Sequence, residues 1–272
     1  MNDKELIKKK SKQIDDLQNI IIDLNDRLKE SESMKSNFIS NVMNEVYNPF
    51  SSIIYMADNI LSLKADKLQK AIPMAEVIYS EAAKIDFHLQ NIFTAATIEA
   101  GLEAPSKSRV HIGEIYKSVQ KTLHFNISSK RLSINSNLVK DSGIEFITDS
   151  QKLTLILLNL LSNAIKFSPL DGIIEFNCEL IENHLNITIS DQGPGISDSD
   201  LELVFDRFKR VDDSINSITG GAGLGLSVVK ALTEILNGNI KIRNDNGTCV
   251  HLVLPQLEIS EDDELMSDEE LF

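Results

Sequence analysis

The chain has 272 residues, of which 42% are hydrophobic and 25% charged, with a formal net charge of −14. This is the composition of a soluble protein with room for two compact units, and its negative sign argues against nucleic acid as a partner, because phosphate contacts need the opposite charge. The apolar runs Ile20–Ile22 and Leu153–Leu158 are far too short to span a bilayer, and Cys178 and Cys249 make no zinc or disulfide pattern, so a cytoplasmic chain without a membrane segment is expected.

Residues 1–33 come first, as a coiled coil. Ile14, Ile21 and Leu28 recur every seven positions, and Leu17 and Leu24 sit three residues after the first two, an a/d seam for a parallel partner. The same spacing also fits a single amphipathic helix packed on its own domain. Residues 34–66 continue as helix with Phe38, Val42, Val46, Phe50, Ile53, Ile54 and Ala57 along one face. Pro49 should kink or loosen that helix, since its ring clashes with the carbonyl four residues back. A second helix over 69–100 carries Ile72, Ile78, Tyr79, Ile85, Leu89, Ile92 and Phe93, with Gly101 and Pro105 as its stop. Two long amphipathic helices cannot bury their apolar faces alone. The hairpin 34–102 is therefore expected to pair with a second copy as a four-helix bundle, making the protein a homodimer.

After a linker over 103–108 the pattern changes to strands near 109–112, 132–138, 144–147, 172–181, 184–190, 238–243 and 248–254, with helices near 113–127, 150–167 and 223–236. The expected fold class is α+β: an N-terminal coiled coil and dimeric four-helix bundle, then an α/β sandwich domain over 109–256 with a mixed sheet covered on one face by helices. The stretch 257–272 has eight carboxylates and no lysine or arginine. It reads as a disordered solvating tail, or as a docking peptide for a basic partner.

Four segments of the second domain carry chemistry. The helix DSQKLTLILLNLLSNAIKFSP presents Asn159, Asn163 and Lys166 on neighbouring turns; a neutral amide oxygen suits Mg²⁺ and an ammonium suits phosphate. In ISDQGPGI, Asp191 at a strand end can accept from an exocyclic amine, and Gly193 and Gly195 let the backbone approach a flat ring. The segment LELVFDRFKRVDD joins Phe205 and Phe208 to Arg207, Lys209 and Arg210, and TGGAGLGLSVVK is a glycine-rich loop opening a helix, an anion cradle. Each alone also describes a solvated helix face or a turn.

In this order and spacing the four resemble the N, G1, F and G2 boxes of the histidine kinase ATP-binding domain, of the GHKL type. The resemblance implies that ATP binds with Mg²⁺ on Asn163, and with Asn159 and Lys166 close to the phosphates. Asp191 would read the adenine amino group beside Gly193 and Gly195. Arg207 and the loop Gly221, Gly223, Leu224 and Gly225 would complete the nucleotide site under a lid over 209–220. The ATPases of this wider group carry a glutamate where this chain has Asn159, which disfavours autonomous ATP hydrolysis.

SNFISNVMNEVYNPFSSIIYMADNIL likewise resembles the dimerisation and phosphotransfer helix of histidine kinases, patterned F-x-x-x-x-x-H-E-x-x-[TN]-P-L. Phe38, Glu45, Asn48 and Pro49 match, while Asn44 stands in the place of the histidine and Tyr47 where arginine is common. Phosphorylation there needs a nucleophilic imidazole nitrogen; an amide nitrogen has its lone pair delocalised and does not attack phosphate. The resemblance thus implies a two-component signalling protein that binds Mg·ATP and is unable to autophosphorylate at the usual site. Its partner would be a response regulator receiver domain or a partner histidine kinase, acted on conformationally or, through Glu45 and Asn48, in a phosphatase-like way. Three alternatives stay open: an active kinase in which Asn44 is a deliberate substitution, which Tyr47 beside it disfavours; a scaffold without nucleotide binding; and a GHKL ATPase.

Overall fold

The computed structural model describes residues 3–138, 145–197, 199–201, 203–206 and 223–258. Helix α1 runs Asp3–Leu61, followed by a 3-10 turn Ala65–Lys70 and helix α2, Ala71–Glu99. α1 continues through residue 33, as the sequence leads one to expect, and also passes through Pro49 without interruption. The helix ends at Leu61 rather than 66: the amides of Ser62 and Leu63 fold back on the carbonyls of Asp58 and Ile60, a tightened last turn. The second helix is closed by Gly101 in the left-handed region (φ +67°), the conformation that favours glycine. The side chains of Ile14 and Phe38 lie outside the described residues, whereas Leu17, Ile21, Leu24 and Leu28 are exposed in the single chain.

Beyond the hairpin follow β1 (Ser108–His111), α3 (Ile112–Ser129), β2 (Ser133–Leu138), β3 (Glu145–Thr148), α4 (Ser150–Phe167), β4 (Ile173–Ile181), β5 (His184–Ser190), α5 (Gly225–Ile235), β6 (Asn239–Asn244) and β7 (Thr248–Pro255). The expected mixed sheet resolves into two. β1 and β3 form an antiparallel pair, and the main sheet has the order β2-β4-β5-β7-β6. Among the described residues only β2 and β4 pair in parallel, with Ile134 opposite Ile174. Side chains alternate across a strand, so β4 turns Ile174, Phe176 and Cys178 inward and β5 turns Leu185, Ile187 and Ile189, all buried.

Three helices cover that face. α3 packs Ile112, Ile115, Tyr116, Val119 and Leu123, a three-and-four spacing that makes one stripe, and the Tyr116 ring stacks on Phe176 at 4.2 Å. α4 is buried almost all round: Leu153, Ile156, Leu157 and Leu161 are sealed, each stabilising by roughly 1.5–3 kcal/mol relative to exposure. The hairpin adds to this layer. Phe87, Ile92, Ala95 and Ile98 of α2 pack against the domain core. The folded unit continues past β7, for Leu257 is buried and its amide donates to the Ile147 carbonyl at 3.0 Å. Leu257 therefore belongs to the folded unit, and of the expected acidic tail residues 259–272 lie outside the described residues.

Candidate functional site

The site is built around α4. Its N-terminus is capped by Asp149, whose Oδ1 accepts from the Lys152 amide at 2.9 Å. Asp149 also anchors the linker, taking the Ser106 amide at 2.8 Å, while Lys152 bridges Asp149 (3.0 Å) and Glu103 (2.9 Å) and Thr97 of α2 donates to Glu103 at 2.6 Å. Burial alone would raise the Glu103 carboxyl, but the bonds from Thr97 and Lys152 and the Lys152 charge outweigh it and hold the group below its ordinary value. At the other end, Lys130 donates to the carbonyls of Ile165, Lys166 and Ser168 at 3.0, 2.6 and 2.9 Å. Its three donors thus meet three otherwise orphaned acceptors at a helix C-terminus.

Asp191 stands just beyond β5 and is 8% exposed. Its Oδ1 accepts from the amides of Gly193 (2.8 Å) and Thr248 (3.1 Å), and the Thr248 hydroxyl also bonds the carboxylate. A carboxylate offers about four lone-pair positions, so one acceptor position remains. Burial pushes its pKa up, and these bonds pull it back in part. The surrounding backbone is close-packed. A Cβ on Gly193 would meet Asp191 Oδ1 and the Phe167 carbonyl at 2.9 Å, and one on Gly195 (φ +76°) would run into the Asn244 side chain. Gly247 lies so close to the Asp191 carbonyl that no side chain fits there.

The glycine-rich segment enters α5 through Gly223 (φ +72°), the buried Leu224 and Gly225. A Cβ on Gly225 would lie 2.6 Å from Asn159 Oδ1, so α4 and the start of α5 meet at that amide. Asn159 is 3% exposed, and its Nδ2 donates to Asn91 Oδ1 of the hairpin (2.8 Å) and to the Leu155 carbonyl (2.9 Å). Asn163, one turn on, is half-buried and makes no hydrogen bond to a described residue. Lys166 places its ammonium 4.9 Å from the Phe167 ring centroid, and Lys230 of α5 lies 5.5 Å from that of Phe205. Arg207, Gly221 and the expected lid over 209–220 lie outside the described residues.

On the hairpin, Asn44 and Asn48 are exposed along α1 with the half-buried Glu45 between them. Glu45 Oε2 lies 3.0 Å from His88 Nδ1 of α2, without the alignment of a hydrogen bond. Asn91, Asn244, Thr248 and Lys130 were not singled out by the sequence. The available signal for Asn91 was a short amide within the apolar stripe of α2.

A layered α/β domain with a fixed carboxylate at a strand end, two glycine segments and an amide-bearing helix has the residue types that suit a nucleotide. Residues 148–258 match the family described as Histidine kinase-, DNA gyrase B-, and HSP90-like ATPase. Similar proteins include Hybrid signal transduction histidine kinase D of Dictyostelium discoideum, 29% identical over 81% of this chain and 14% of its own. Sensor histidine kinase TmoS of Ectopseudomonas mendocina is 28% identical (82% and 23%), and Sensor-like histidine kinase SenX3 of Mycobacterium tuberculosis 27% (86% and 57%). The chain thus spans between 14% and 57% of these relatives. The fold is shared with Acinetobacter baumannii histidine kinase AdeS (TM-score 0.53, 19% identity, 79% of this chain and 98% of that one) and with full-length ShkA in complex with AMPPNP (0.55, 19%, 84% and 46%). Among the described residues, no helix is long and apolar enough to cross a membrane and no His/Cys/Asp/Glu group forms a metal cluster.

Proposed function

We propose that the chain is a histidine-kinase-type two-component signalling protein that binds Mg·ATP but cannot autophosphorylate at the usual site. The observation that carries this reading is Asn44, exposed on α1 beside Glu45, on a hairpin docked against an ATP-binding catalytic domain. The nucleotide is held between α4 and the glycine segment. Asp191, whose remaining acceptor position suits an exocyclic amine, takes adenine beside Gly193 and Gly195, and Gly223, Leu224 and Gly225 lie along the phosphates. Asn163, whose amide has no partner among the described residues, is the residue suited to Mg²⁺, an ion that neutralises phosphate charge. Lys166 supplies a cation nearby, and Arg207 and Gly221 complete the set.

The protein works as a homodimer. Phe50, Ile54, Tyr55, Ile72, Tyr79 and Phe93 of the hairpin are each at least half exposed in the single chain, an apolar surface larger than a soluble monomer usually leaves open. Its output is conformational control of a partner kinase or phosphatase-like action on a response regulator, with Glu45 and Asn48 placing water. Incubation with γ-labelled ATP tests the reading. The unaltered chain should carry no acid-labile phosphate, and Asn44→His combined with Tyr47→Arg should acquire it. Acid-labile label on the unaltered chain would show that another acceptor is used and would refute the block at Asn44.

A further inference from the structure

Asn159 is the amide that the domain brings against its glycine segment, and it is also the point at which the hairpin grips the domain. An Asn side chain has two N–H donors. Here both are used, one on the Leu155 carbonyl of its own helix and one on Asn91 Oδ1 across the interface. Its oxygen faces Gly225. Asn91 is itself 5% exposed and is held in place by donating to the Phe87 carbonyl at 2.9 Å. Phe87, Ile92, Ala95 and Ile98 of the same helix pack against the domain core, and both amides of the pair are buried, so water does not compete for it. In this arrangement Asn159 has no donor left for a phosphate oxygen.

We infer that Asn91 is a positioning residue for the nucleotide site, acting as a brake: the hairpin holds the Asn159 donor that the phosphates of a bound nucleotide would otherwise take. The inference rests on the proposed nucleotide reading. It adds that hairpin docking and phosphate engagement draw on one N–H group, so each weakens the other by the same factor. Adenine recognition at Asp191 does not involve this group and stands outside the competition.

The full-length chain tests this by titration with Mg·AMPPNP and, separately, with adenosine. Freeing one neutral hydrogen-bond donor should tighten Mg·AMPPNP binding by Asn91→Ala about fivefold and leave adenosine affinity unchanged. Asn91→Asp keeps an acceptor against Asn159 and adds negative charge near the phosphates, so its affinity for Mg·AMPPNP should fall below that of Asn91→Ala. In the unaltered protein, saturating Mg·AMPPNP should raise amide hydrogen exchange across residues 87–98. Equal affinity for Mg·AMPPNP in the unaltered protein and Asn91→Ala, or a parallel change for adenosine, would overturn the brake while leaving nucleotide binding in place. Unchanged exchange at 87–98 on saturation would overturn it as well. Binding that appears only in Asn91→Ala would support the brake in its strongest form, and no binding by either protein would overturn the nucleotide reading and the brake together.

Discussion

Replacing Asp191 with asparagine separates recognition from folding. The amide is isosteric, and its oxygen can still accept from the amides of Gly193 and Thr248 that now fix Oδ1. What changes is the second position, where an acceptor becomes an NH2 donor facing the exocyclic amine it should receive. Losing a hydrogen bond to a charged partner costs about 1.5–3 kcal/mol, so adenine nucleotide affinity should fall by roughly 10- to 150-fold. Stability should move the other way. Burial raises the Asp191 pKa, meaning the folded protein holds this proton more tightly than the unfolded chain and the carboxylate costs stability once it is ionised. The Asp191→Asn protein is therefore expected to melt no lower than its parent at neutral pH. Calorimetric titration with Mg·AMPPNP and a thermal melt without nucleotide read the two effects. The parent should also lose affinity on acidification, beginning at a higher pH than an ordinary aspartate would dictate, and the variant should not. Equal affinities for parent and variant, or a lower melting temperature with unchanged affinity, would refute this assignment of Asp191.

Two further expectations concern assembly and the linker. Ile54→Asp together with Phe93→Asp should convert a dimer to a monomer in light scattering at micromolar concentration, since both side chains are at least half exposed on the isolated hairpin; persistence of the dimer would place its interface elsewhere. Glu103→Gln should cost about 1 kcal/mol in urea unfolding at neutral pH. Because the Glu103 carboxyl lies below its ordinary value, its contribution is present above the unfolded pKa and is lost as pH falls through the folded one, so parent and variant should converge in acid.

Most elements of the fold could be read from local pattern. Alternation in Ile174, Phe176, Cys178 and in Leu185, Ile187, Ile189 marks β4 and β5, and the apolar content of 150–167 marks α4 to the residue. What escaped depends on contacts distant in sequence. The parallel pairing of β2 with β4, the separate β1–β3 pair and the burial of Leu257 on Ile147 are all set by packing between segments that share no local signal. Pro49 was expected to kink or loosen α1; the helix continues through it, since a single missing amide does not end a long helix. Within the site, Asp191, Asn163 and the glycines stood out because their residue types match the chemistry. Asn159 was read with the phosphates; besides the Leu155 carbonyl of its own helix it bonds Asn91, 68 residues away in the chain. No spacing rule links Asn91 to it.

Helix α1 carries one more implication. Its 59 residues form one continuous helix, a rod of about 88 Å at 1.5 Å per residue. No joint lies along it to absorb a change of orientation between its first turns and Asn44. Angular position is therefore conserved along its length: every residue added or removed upstream turns the Asn44–Glu45–Asn48 face by about 100° relative to what precedes it, and changes of about seven or about eleven residues nearly restore the phase. Anything joined to the beginning of this helix addresses the acceptor position as a key addresses a lock, by its angle of entry.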